Sequence, residues 1–82
     1  MPHINTLNRY GKVHSKRMVL NVLSKFRDPL STYKLTRDVK RVYNVNVSDT
    51  TILDLLKELK TEGLVSYLSK SKARYWFLKK NA

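Results

Sequence analysis

The chain has 82 residues, of which 41% are hydrophobic: enough for one core, too few for two, and too apolar for a disordered protein. It has no cysteine, which excludes disulfides and thiolate metal sites, and its 17 Lys and Arg against 6 Asp and Glu give a net charge of +11, a surplus that points to a polyanionic partner. No apolar run is long enough to span a bilayer, and the basic N-terminus lacks the apolar stretch of a secretory signal, so an intracellular protein is expected.

Residues 1–14 read as a basic arm, in which Pro2, Asn5, Asn8 and Gly11 interrupt any long period while Ile4, Leu7 and Tyr10 keep a helical spacing. The domain proper is expected over 15–82. Met18, Val19, Val22, Leu23 and Phe26 share one face of a 3.6-residue period and predict a helix over 15–27. Ser15 is placed to cap it, and Pro29 to stop it. A second helix is expected over 31–43, with Ser31 as N-cap and Leu30 packed on Leu35 as a hydrophobic staple. Leu35, Val39, Val42 and Tyr43 form its inward stripe, and Asn44 suits a left-handed end.

After the short Val45-Asn46-Val47 link, Ser48 caps a third helix over 48–62, with Val47 and Ile52 as staple. Ile52, Leu55, Leu56 and Leu59 face inward, and Gly63 closes the helix. The period then changes. Leu64 to Ser69 and Arg74 to Lys79 read as two strands around Lys70-Ser71-Lys72-Ala73, although no Asn-Gly or Asp-Gly sets the turn type. The expected core is Val22, Leu23, Phe26, Leu35, Val39, Ile52, Leu55, Leu56, Leu59 and Trp76. Trp76 and Leu78 point inward; Tyr75 and Phe77 point outward, where a second chain can cover them. With Leu20 and Leu53 at stripe edges, that pattern suggests a homodimer. The class is α+β, mostly α: a three-helix core with a β-hairpin.

That order of pieces resembles the winged helix-turn-helix transcription regulators, including small ones from archaea and their viruses. The likeness is carried by Leu30-Ser31-Thr32-Tyr33-Lys34-Leu35, by Val47-Ser48-Asp49-Thr50-Thr51-Ile52, and by the Leu56 to Val65 run, Leu-x-x-Leu-x-x-x-Gly-Leu-Val. Arg74-Tyr75-Trp76-Phe77-Leu78 resembles the return strand of the wing. The resemblance implies that helix three enters the major groove of double-stranded DNA, with the hairpin on the adjacent backbone or minor groove.

Helical geometry tests that implication separately. At about 100° per residue, Thr50, Asp54, Lys57 and Thr61 lie opposite the apolar stripe, flanked by Thr51 and Glu58. The candidate base contacts are Ser48, Thr50, Thr51, Asp54 and Lys57; a threonine can meet a thymine methyl and Asp54 can accept from a cytosine amine. The candidate backbone contacts are Thr32, Tyr33, Lys34, Arg37, Lys40 and Arg41 on helix two, and Lys70, Lys72 and Arg74 in the wing. Arg9, Lys12, Lys16 and Arg17 add charge near the arm. One feature opposes groove entry: helix three carries Asp49, Asp54, Glu58 and Glu62 against only Lys57 and Lys60, and so repels phosphates.

Nothing suggests an enzyme. His3 and His14 have no third ligand near them, and there is no phosphate loop, nucleophile–base pair or paired carboxylates. No cofactor, metal, small-molecule ligand or membrane partner is expected. An RNA-binding or ribosome-associated winged helix is the alternative, and a protein-interaction module the next.

Overall fold

The computed structural model describes residues 11–79. Its elements run α1 (Gly11–Ser24), β1 (Leu30–Ser31), α2 (Thr32–Tyr43), α3 (Asp49–Thr61), β2 (Val65–Lys70) and β3 (Ala73–Leu78). The strands form one antiparallel sheet in the order β1-β3-β2.

Helix α1 departs most from expectation. It begins at Gly11 rather than Ser15, and Ser15 is buried inside it, donating its hydroxyl to the Gly11 carbonyl at 2.8 Å. A serine before an apolar run can cap a helix or bond back to the preceding turn, and here it does the latter. The helix also ends before the Pro29 stop, closing through bonds from Lys25 N–H to Val22 O and from Phe26 N–H to Leu23 O. Phe26 therefore lies beyond the helix and is 37% exposed, not in the core.

Helices α2 and α3 follow their local signals. The Ser31 hydroxyl accepts the Lys34 N–H at 3.1 Å, and Ser48 accepts that of Thr51 at 3.2 Å. Each satisfies a donor that the first helical turn leaves orphaned. Asn44 ends α2 at φ 52, ψ 46, in the left-handed region. Gly63, at φ 81, ends α3: its N–H reaches Lys60 O, and the Leu64 N–H reaches Leu59 O. That bond pair is a Schellman motif. Val42 is the one misplaced stripe residue of α2, at 42% exposed.

Strand β1 has only two residues, too few for any period to show, and it pairs Leu30 with Trp76 and Ser31 with Tyr75. The hairpin is tighter than expected. Lys70 pairs with Ala73, so the turn is Ser71-Lys72 alone, at φ 52 and 66. Positive φ at both central residues is the signature of a type I′ turn, whose twist matches that of the strands.

The expected core residues other than Phe26 are buried, joined by Val19, Leu30, Val45, Val47 and Val65. Trp76 is fully buried, and its indole N–H donates to the Thr32 hydroxyl at 2.9 Å. On the outer sheet face Tyr75 and Phe77 are half-buried and Leu68 is exposed. Leu20 and Leu53 are half-buried, packed against the chain's own core.

Candidate nucleic-acid interface

The face of α3 opposite its buried stripe carries Thr50, Asp54, Lys57 and Thr61, all exposed. Ser48 and Thr51, also candidates, are occupied with each other: beyond the cap, the Ser48 hydroxyl donates to Thr51 Oγ1 at 3.1 Å. The side chains on the open face of the first two turns are therefore Thr50 and Asp54, with Lys57 at the start of the third.

Two of the four acids of α3 do not belong to that face. Glu58 and Glu62 turn toward α1, where the Lys16 ammonium bridges them, at 3.4 Å from Glu58 and hydrogen-bonded to Glu62. The hydrogen bond to Glu62, with the nearby carboxylate charges, raises the Lys16 pKa above its ordinary 10.5 against the opposing cost of burial. Lys16 was expected to be a free cation near the arm. It is instead a fixed part of the α1–α3 contact, while Arg9 and the Lys12 side chain lie outside the described residues. Asp49 sits in the first turn of α3, where it complements the positive end of the helix. Asp54 is thus the acid of α3 left on the open face beyond that turn.

On α2, Tyr33, Lys34, Arg37, Lys40 and Arg41 are exposed as expected. Lys34 and Arg41 are not independent, however. Both reach Oδ1 of the buried Asp38, at 3.7 and 3.0 Å, and Asp38 Oδ2 is buried without a partner. Lys34 also lies 5.9 Å from the Phe26 ring centre, and Arg37 lies 5.8 Å from that of Tyr33. Lys34, Arg37 and Arg41 thus each lie against a neighbouring carboxylate or ring. Thr32 is half-buried, with its hydroxyl committed to Trp76.

In the wing, Lys70, Lys72 and Arg74 are exposed at and beside the turn. Tyr67 is the residue that sequence reasoning passed over. Its ring packs on Trp76 with centroids 4.9 Å apart, and the Arg74 guanidinium lies 4.9 Å from its centre. Lys60, from the last turn of α3, lies 5.9 Å from the same ring. The β2–β3 register puts Tyr67 opposite Trp76, with Ser69–Arg74 the next pair along that face. The alternation of the strands was visible in the sequence; the approach of α3 was not.

Three helices followed by an antiparallel wing, with α2 and α3 joined by a short link, define a winged-helix fold. Among solved structures it is similar to the ferric uptake regulator Fur of Helicobacter pylori, a protein described as having three functional metal-binding sites. The TM-score is 0.75 at 23% identity, over 93% of this chain and 53% of the Fur chain. A likeness at that identity establishes the fold, and the chain spans about half the length of that relative. No protein-family model and no curated protein matches the sequence. Among the described residues, no three His, Cys, Asp or Glu gather where they could hold a metal, and no helix is long and apolar enough to cross a membrane.

Proposed function

We propose that the chain binds double-stranded DNA as a non-catalytic transcription regulator, with α3 in the major groove and the wing on the adjacent backbone or minor groove. The observation that carries this reading is the capture of Glu58 and Glu62 by Lys16. It turns two carboxylates away from the open face of α3 and so weakens the main objection to groove entry. Thr50, Asp54 and Lys57 then read bases, with Ser48 and Thr51 holding the N-terminus in shape. Tyr33, Arg37 and Lys40, with Lys34 and Arg41 braced by Asp38, supply backbone contacts from α2; Lys70, Lys72 and Arg74 supply them from the wing. The likeness in fold to a ferric uptake regulator supports the same reading.

Selection of bound sequences from a random duplex pool, followed by footprinting, tests it. A recurring site protected over a major-groove face is the expected result. Equal binding to structured RNA and to all duplexes would instead make the chain a general nucleic-acid binder. We also propose a homodimer, supported by the exposed Leu68 beside half-buried Tyr75 and Phe77 on the outer sheet face. Such a dimer bound to DNA selects paired half-sites, and a single unpaired half-site in the selected sequences counts against it.

A further inference from the structure

From the cluster at Tyr67 we infer that Lys60 and Arg74 form a single binding site for one phosphoryl group, held together by the ring between helix and wing. The DNA reading enters only in naming a backbone phosphate as the natural occupant; the site itself stands on its geometry.

Lys60 comes from the C-terminal turn of α3, and Arg74 from the strand that leaves the wing turn. They meet at one aromatic ring, at 5.9 and 4.9 Å from its centre. Tyr67 is fixed in turn by the fully buried Trp76, whose own N–H is tied to α2 through Thr32. The platform is therefore anchored in the core, while both cations are exposed to solvent. A ring face attracts each cation but does not cancel its charge. Two like charges gathered at one ring repel, and among the described residues neither has a carboxylate in ion-pair contact. The acids nearest in sequence to Lys60, namely Glu58 and Glu62, are directed to Lys16 instead.

An anion between the two cations relieves that repulsion. A phosphoryl group suits the pair: the planar guanidinium offers a fork of donors to two oxygens and the ammonium adds a point charge. Because one cation sits on the recognition helix and the other on the wing, a shared phosphate also fixes the angle between these elements.

The first test titrates the full chain with inorganic phosphate and follows Arg74 Nε–H, the Lys60 side chain and the Tyr67 ring by NMR. Saturable shifts centred on these three residues are expected. K60Q and R74Q should each weaken binding about tenfold, as loss of a charged hydrogen-bonding partner does. Y67F, which keeps the ring, should bind as the unmodified chain, and Y67L should resemble the two cation variants. Shifts spread evenly over Lys70, Lys72 and the other exposed cations would overturn the inference, as would unchanged affinity in K60Q and R74Q.

The second test measures the salt dependence of binding to a DNA duplex. Each phosphate contact contributes about 0.9 to the slope of log affinity against log salt. The K60Q/R74Q double variant should lose about 0.9 if the cations share one phosphate, whereas a loss of about 1.8 marks two separate contacts and refutes sharing. Saturable phosphate binding in a chain that ignores duplexes would remove the DNA reading and leave the anion site standing.

Discussion

The wing turn offers a perturbation in which stability and affinity should move in opposite directions. Lys72 holds φ 66 at the second central position of a two-residue turn. An L-residue in that left-handed region costs roughly 1–2 kcal/mol, which glycine does not pay. Glycine gives back about 0.5–1 kcal/mol through the greater freedom of its unfolded chain. Lys72→Gly should therefore stabilise the fold by about 0.5–1 kcal/mol, raising Tm by roughly 2–8 °C in a domain of this size. Lys72→Ala is the control, since it removes the same charge but keeps the strained backbone. Its Tm should stay within a few degrees of the unmodified chain, because surface substitutions change stability by about 0.5 kcal/mol or less. If Lys72 touches a phosphate, both variants should bind DNA more weakly and lose about 0.9 from the salt slope. Thermal unfolding by circular dichroism and a fluorescence anisotropy titration at four salt concentrations measure the two quantities. Equal Tm values for the Gly and Ala variants would refute the turn argument. An unchanged slope in both would remove Lys72 from the interface.

Three other expectations follow from the same structure. Thr50→Ala and Asp54→Ala should each cost about 1–3 kcal/mol on the preferred duplex and change which sequences are selected; for Asp54→Ala, non-specific affinity should hold or rise, and a joint rise of both affinities would make α3 a bystander. Thr32→Val should leave the buried Trp76 N–H without an acceptor and cost about 1–3 kcal/mol, whereas Thr32→Ser should hold its stability in the same denaturant titration. The raised pKa of Lys16 predicts a stabilisation that is fully present below pH 10.5 and lost as pH climbs through the higher folded value. The Tm gap between the unmodified chain and Lys16→Gln should close above pH 10.5, whereas Lys16→Arg, charged throughout, should keep it open.

Residues that act on their immediate neighbours were legible in the sequence. Ser31, Ser48 and Gly63 each settle one or two backbone bonds within a turn of themselves, and Asn44 takes the left-handed conformation that ends α2, each as its residue type predicts. Ser15 carries the same chemistry but was misread, because its hydroxyl is equally satisfied by the carbonyl one turn back. The difference lay in whether residues 11–14 were already helical, and Gly11 in that stretch argued against it. Phe26 was misplaced for a related reason: periodicity continues on paper past Ser24, where the backbone has stopped. Strand β1 left no trace, since two residues cannot display an alternation and Leu30 is explained as well by a staple.

The site was legible in its faces and illegible in its pairings. The open face of α3 follows from helical geometry alone, and its exposure matches the wheel. The acidity of that helix looked like a defect because a count of charges assigns every carboxylate to the same surface. Glu58 and Glu62, one turn apart, share a side of the helix, and that side meets Lys16, 46 residues before Glu62 in the chain. Such a contact has no local signature. The same holds for Tyr67, whose neighbours come from α3 and β3 and whose role depends on where those elements cross. Charge count predicts that a polyanion will be attracted, but only packing decides which charges are available to meet it. In this fold, packing removes Lys16 from the available cations and Glu58 and Glu62 from the opposing acids, and it brings Lys60 and Arg74 to the same tyrosine ring. The net +11 of the chain is thereby sorted: the open face of α3 is less acidic than the composition of the helix implies, while Lys70, Lys72 and Arg74 stay exposed at the wing.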